Sequence, residues 1–276
     1  MGRAIGLCQD RFGRATMIRL DHPVVTHAHP QFNIVFKHGG ADTQFRIGEA
    51  VHPLTADNLL LIDPWQPHAN LHDAAAPTRL VSILVEHGWA RDAGLCGCAH
   101  RGPAACGFHR PSAPFTPALR RAADALARRI AGGAAGGEDP AALIGGILAA
   151  LTATPGPAPS GQAARGHSDD YRIRRVIEFI RRHPSKRHHA DALAAHAGLS
   201  RSRFFDRFRD CMGVSPQCFV DAVCVDAAMQ VLRGSGAPLA ELADRLGFSA
   251  QSHFSRFFTQ RTGISPSEYR RRAGTA

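Results

Sequence analysis

The chain is nearly without lysine. Of its 33 Lys and Arg residues, only Lys37 and Lys186 are Lys. With the abundant Ala and Gly this reads as coding bias, so arginine content alone carries no functional meaning. Long apolar runs are also missing. No stretch of about 18 apolar residues exists, which excludes a membrane-spanning helix, and Met1 to Leu20 lacks the apolar core of a signal peptide. The cysteines at 8, 96, 98, 106, 211, 218 and 224 are too few and too irregular for a secreted disulfide scaffold. A reduced cytoplasmic protein, with no membrane partner, is the expectation. The excess of basic residues lies mostly toward the C-terminus. Formal net charge is +10, of which +7 falls from residue 168 onward and +3 on the 167 residues before it. That asymmetry places a polyanion-binding surface in the smaller C-terminal part. At 276 residues the chain can hold two domains.

What is present is a motif that occurs twice. The first copy runs through Leu193, Ala194, Gly198, Phe204, Phe208, Gly213, Ser215 and Pro216. The second runs through Leu242, Ala243, Gly247, Phe254, Phe258, Gly263, Ser265 and Pro266. The offset is 49 before the turn and 50 after it, so the second copy carries one extra residue there. Each copy reads as a short helix, a glycine turn, a second helix with inward aromatics, a glycine stop and a Ser-Pro restart. This is the order of a helix-turn-helix. Gly198 and Gly247 are expected to turn the chain through the left-handed region, and Ser200 and Ser249 to cap the helices that follow. Opposite the aromatics, the first copy presents Ser202, Arg203, Asp206 and Arg209. The second presents Ser252, His253, Arg256 and Thr259, with Gln251 at the leading edge. Short polar and forked donor groups of this kind suit base edges in a major groove. A single such helix is usually just a solvated one; the duplication of turn, caps, aromatic pair and stop favours duplex DNA reading.

Residues from about 171 to 272 resemble the DNA-binding domain of the AraC/XylS family of transcription regulators. The resemblance is strongest over Gly247-Phe248-Ser249-Ala250-Gln251-Ser252-His253-Phe254-Ser255-Arg256-Phe257-Phe258 and continues through Thr262-Gly263-Ile264-Ser265-Pro266-Ser267-Glu268-Tyr269-Arg270. It implies seven helices, with a linker helix from about Pro216 to Arg233 joining the two units. It implies base contacts from Gln251, Ser252, His253 and Arg256, and from Ser202, Phe205, Asp206 and Arg209. The first copy departs from the family pattern at Asp206, where Arg is frequent, and at Arg207, where an apolar residue is usual. Arg203, Arg207, Arg270 and Arg271 are better placed for phosphates, which position rather than specify. The resemblance further implies RNA polymerase as a partner.

The N-terminal part has another texture. Residues 12–20, 32–38, 43–48, 58–62 and 79–86 read as short strands between Gly, Pro, Asp and His turns. Leu59-Leu60-Leu61-Ile62 and Val81-Ser82-Ile83-Leu84-Val85 are continuous apolar runs, as in buried strands. Many short strands suggest a barrel or jelly roll. The pieces His27-Ala28-His29-Pro30, Gly48 and Asp63-Pro64-Trp65-Gln66-Pro67-His68-Ala69-Asn70 resemble the cupin-type sensor domain found upstream in AraC relatives. The fold expected is therefore α+β in two domains. Residues 1–153 form a cupin-like β-barrel with following helices, 154–168 a Pro- and Gly-rich linker, and 169–276 an all-α domain with two helix-turn-helix units. The barrel is expected to bind a small-molecule effector. Apolar spacing predicts helices at about 117–131 and 140–151, which in the family often make a homodimer contact and could equally pack on their own barrel.

Two constellations could carry chemistry. His27-x-His29 with His68 could ligate a metal, touch an effector or simply pack. The Glu that cupin enzymes add shortly after the His pair is absent, so the expectation is effector contacts from His27, His29 and His68, with no tightly held metal and no cofactor. Cys96-x-Cys98-x-His100, with Cys106 and His109, could form a redox or metal site but lacks standard zinc-ribbon spacing. The leading reading is a regulator without catalytic activity. A metal-dependent cupin enzyme fused to a DNA-binding module and a cysteine-based redox or metal sensor are the alternatives.

Overall fold

A computed structural model of the chain describes residues 3–73, 75–93, 107–108, 110–132, 138–153 and 170–273. The expected linker and the Cys96, Cys98, His100, Cys106 and His109 constellation lie outside the described residues.

The N-terminal part is built on two sheets. The larger contains β1 (Arg3–Asp10), β2 (Gly13–Leu20), β9 (Thr78–Val85), β4 (Phe32–Gly40), β7 (Asn58–Ile62) and β10 (Ser112–Pro114), in that spatial order. The smaller runs β3 (Val24–His27), β8 (His68–Asn70), β5 (Thr43–Ile47) and β6 (Ala50–Leu54). The pairings are antiparallel throughout.

This corrects the expectation of a cupin-like barrel: both sheets are open. β1 and β10 end the larger one, and β3 and β6 end the smaller one. The apolar runs that suggested a barrel have another cause. Alternate residues of a strand point to opposite faces, and the larger sheet is covered on both. Ile34, Phe36, Leu59, Leu61 and Ile83 face a core shared with α2 (Pro117–Gly132) and α3 (Pro140–Thr152). Val35, Leu60, Ile62 and Leu80 face Phe45, Ile47 and Leu54 of the smaller sheet. With helices on one side and a sheet on the other, burial does not require closure. Pro53 sits in the edge strand β6 and Pro114 in the edge strand β10, where a missing N–H donor is tolerated.

Helices α2 and α3 start and stop within a residue of their expected bounds, and they pack on each other and on their own sheet. A short α1 (His87–Asp92) precedes them. β1 lies close against α2: a Cβ at Gly6 would come within 2.1 Å of the Ile130 carbonyl oxygen.

The C-terminal part holds seven helices among the described residues: α4 (Tyr171–Arg182), α5 (Ala190–His196), α6 (Arg201–Met212), α7 (Pro216–Gly234), α8 (Leu239–Arg245), α9 (Gln251–Thr262) and α10 (Pro266–Ala273). Phe204, Phe208 and Phe219 fill one core with Ile173, Val176 and Ile180 of α4. Phe254, Phe258 and Tyr269 fill a second with Ala228 and Leu232 of α7. The long helix α7 thus serves both cores.

The two parts are packed together. Ala28 contributes to the core around α7, and Ala4 to the core around α9. Trp65, at φ +62° in the left-handed region, stacks its ring on Phe219 at 4.8 Å. Arg272 donates to the carbonyls of Ala4 and Ile5, and the Tyr269 hydroxyl donates to Gln9 Oε1.

Candidate nucleic-acid interface and the cavity behind it

The two helix-turn-helix units are α5–α6 and α8–α9. In both, the turn glycine has positive φ, +64° at Gly198 and +78° at Gly247. In both, the second helix stops at a left-handed glycine, Gly213 and Gly263, whose N–H bonds back to the carbonyl of Arg209 or Thr259. Ser215 then caps α7, accepting from the Cys218 N–H at 3.2 Å, and Ser265 accepts from the Glu268 N–H at 3.2 Å.

The expected serine caps at the turns are corrected. Ser200 stands at the N-cap of α6 but makes no side-chain cap hydrogen bond. In the second unit the extra residue puts Ala250 at the N-cap, and Ser249 Oγ pairs with His253 Nδ1 at 2.9 Å instead. The first-turn N–H groups of both helices therefore have no side-chain cap at the N-cap residue, which leaves donors of the kind that suit phosphate oxygens.

The exposed face of α6 carries Ser202, Arg203, Asp206, Arg207 and Arg209; that of α9 carries Gln251, Ser252, His253 and Arg256. Each set lies opposite a fully buried aromatic pair, Phe204 with Phe208 and Phe254 with Phe258. Phe205 is half-buried, edge-on to Phe204. Thr259 was expected on the polar face and is buried, its hydroxyl donating to the Ser255 carbonyl at 2.7 Å. The cause is tertiary: α9 packs against β3, so its C-terminal half has no free back. Arg271 is exposed, whereas Arg270 is half-buried and donates to the Ala237 carbonyl.

Two residues that sequence reasoning missed hold α9 in place. Asp221 of α7 is buried and bonds Lys186 before α5, Arg261 of α9 and Gln217, the last at 2.8 Å. Arg261 also lies over the Phe257 ring, 4.1 Å from its centroid. A lone acid inside the apolar run Cys218-Phe219-Val220-Asp221-Ala222 was the available signal, because a buried carboxylate must be paired.

Behind α9, a cavity of about 380 Å³ opens between the sheets and α7. Its wall includes Arg14, His27, His29, Glu86, Asp226 and Arg261. Burial, with Glu86 nearby, pushes the Asp226 carboxyl up to about 6. Burial lowers the Arg14 guanidinium from its usual range, against support from Tyr269 and Asp226. A smaller pocket beside it is lined by all three sequence-selected histidines, together with Asn33 and Ser82. His27 and His68 face each other across the β3–β8 pair, ring centroids 4.3 Å apart, and His29 is 4.9 Å from His68. Burial lowers the pKa of all three, that of His29 to about 3, so each is neutral near pH 7.

Comparison with known proteins bears on both parts. The helix-turn-helix domain family matches residues 193–272. The arabinose operon regulatory protein of Salmonella typhimurium is 34% identical over 102 residues, 37% of this chain and 36% of the relative. The transcriptional regulator MtrA of Neisseria gonorrhoeae is 28% identical over 105 residues, 38% of this chain and 35% of the relative. The C-terminal part is a helix-turn-helix domain of the AraC type. The sequence match spans little more than a third of the length of these relatives. Across both parts the chain shares its fold with ToxT of Vibrio cholerae, at a TM-score of 0.53 and 9% identity over 95% of this chain and 98% of that one. Across both parts the shared fold is thus an open-sheet N-terminal domain on an all-α domain with two helix-turn-helix units.

Proposed function

We propose that the protein is a sequence-specific transcription regulator without catalytic activity, which binds double-stranded DNA through α6 and α9 and answers to a small molecule held between its two parts. The observation that carries this is the pair of exposed polar faces, each set by the same glycine turn and the same buried aromatic pair. Base contacts come from Gln251, Ser252, His253 and Arg256, and from Ser202, Asp206 and Arg209; Arg203, Arg207, Arg270 and Arg271 serve the phosphates. With α7 joining the units, the two helices enter successive major-groove segments about 34–36 Å apart, and any mismatch is absorbed by bending the duplex. The cavity behind α9 supports the effector reading, since a molecule there would touch His27, His29 and, through Arg261, the second recognition helix. RNA polymerase and a second copy of the chain are partners this reading carries from the family resemblance.

The test is binding of the full chain to its operator across a salt series. Log affinity should fall linearly with log salt, at a slope of about −0.9 per phosphate neutralised. A flat salt response would refute the reading.

A further inference from the structure

We propose that His27, His29 and His68 form a binding site for a divalent transition-metal ion, Zn²⁺ foremost. The proposal concerns the N-terminal sheets alone and stands whether or not the DNA reading does.

The argument begins with where the protons are. His27 Nδ1 lies 2.8 Å from the Val25 carbonyl, His29 Nδ1 lies 3.1 Å from that of Gln31, and His68 Nδ1 lies 2.8 Å from that of Gln66. A carbonyl oxygen can only accept, so in each neutral ring Nδ1 carries the hydrogen and Nε2 carries the lone pair. Metal-ligating histidines are commonly oriented in this way, by a carbonyl on the nitrogen that does not bind. Three rings from three separate backbone positions share the arrangement.

The three rings also lie close together. One ligand nitrogen from each ring lies within 4.8 Å of the other two. The Nε2 atoms of His29 and His68 are buried and have no hydrogen-bond partner. A cluster that served only packing would turn one ring's N–H toward its neighbour's lone pair. Here every Nδ1–H is spent on the backbone, which leaves the Nε2 lone pairs of His29 and His68 unpartnered in a pocket that Arg14 and Arg261 also line. A cation answers that arrangement.

The donor set narrows the class of ion. Three neutral imidazoles, without carboxylate or carbonyl ligands, suit Zn²⁺, Cu²⁺, Ni²⁺, Co²⁺ or Fe²⁺ and not Ca²⁺ or Mg²⁺. Three histidines with an open fourth position are an established zinc set, so the missing Glu does not count against one. Nitrogens about 2.0–2.1 Å from a tetrahedral ion stand about 3.4 Å apart, so the rings need to close by at most about 1.4 Å. Among the described thiols, Cys218 borders the large cavity, and burial raises its pKa away from the thiolate form. Because His27 and His29 line both pockets, the open position would be reached from the interdomain cavity.

The test uses the full chain, stripped with chelator and dialysed, with no DNA present. Zn²⁺ is titrated against a chromophoric chelator, and Co²⁺ is added separately for its absorption spectrum. The expected result is one ion per chain, raised thermal stability with Zn²⁺, and visible Co²⁺ bands without a thiolate charge-transfer band. His29→Gln and His68→Gln, checked for fold by circular dichroism, should each lower affinity about tenfold or more. Absence of saturable binding, a thiolate band, or unchanged affinity in both folded variants would overturn the proposal. If neither variant folds, the wild-type stoichiometry and Co²⁺ spectrum decide.

Discussion

The two helix-turn-helix units share a turn, an aromatic pair and a stop, yet the molecule holds them differently. In the first, α6 packs on α4, α5 and α7, and among the described residues the N-terminal domain reaches its core only through Ala28 and Trp65. In the second, a helix itself rests on the N-terminal domain: α9 lies against β3, and Gly263 sits so close to Ile18 that a Cβ there would come within 3.1 Å of it, while Arg261 is tied to Asp221 of α7. The duplicated sequence therefore specifies the polar face of each unit, and the surroundings specify how closely the N-terminal domain holds each one. Whatever occupies the interdomain cavity meets α7 along its length and α9 at Arg261.

Four measurements would break or sharpen that comparison. The largest effect is expected at Asp221. Asp221→Ala leaves the Lys186 and Arg261 cations without their buried partner and should cost about 3–5 kcal/mol in urea unfolding. Hydrogen exchange should speed up in α9 far more than in α6; equal loss of protection in both would remove the asymmetry. The turn glycines come next. Both have positive φ, but a Cβ at Gly198 meets nothing within 4 Å, whereas one at Gly247 falls 2.4 Å from Ser185 Oγ and 2.9 Å from Arg187 Cγ. Gly198→Ala should cost about 1–2 kcal/mol, and Gly247→Ala about 1–3 kcal/mol more, read from thermal melts.

At the DNA face, Arg256→Ala should weaken operator binding by about 1–3 kcal/mol and relax preference at one base pair. Arg207→Ala should weaken operator and random duplex alike. A uniform loss for Arg256→Ala would move it to the phosphate-binding set. The smallest effect is at the caps. Ser215→Ala removes a real N-cap bond and should cost about 1 kcal/mol. Ser200→Ala removes none and should stay within about 0.5 kcal/mol.

The C-terminal helices were legible because their punctuation is written twice, and glycine at a left-handed turn can be read without knowing what surrounds it. The strands were legible for a related reason: β4, β7 and β9 are apolar runs, and β2 and β5 mix apolar with polar residues, all between turn residues. Their arrangement was not. Leu59 to Ile62 would read the same in a closed barrel and in a sheet covered on both faces, and only the partners of the edge strands tell these apart. β3 and β8 are four and three residues long, too short to show a period. Thr259 was misplaced because a helical wheel knows nothing of a second domain. The histidines were picked out by spacing, but the carbonyls that orient them come from Val25, Gln31 and Gln66, and no pattern of side chains reveals which way a backbone oxygen points.

Trp65 gives this architecture an optical handle. It and Trp89 are the only tryptophans. Trp89 packs edge-on to Phe12 within the N-terminal domain, whereas the Trp65 indole is clamped on Phe219 of α7. In a chain carrying Trp89→Phe, all indole emission would come from the seam between the domains. A red shift on adding an effector, a metal ion or operator DNA would mean that the ring had left its apolar clamp and met water. The spectrum of one side chain would thus follow the joint between the domains in real time.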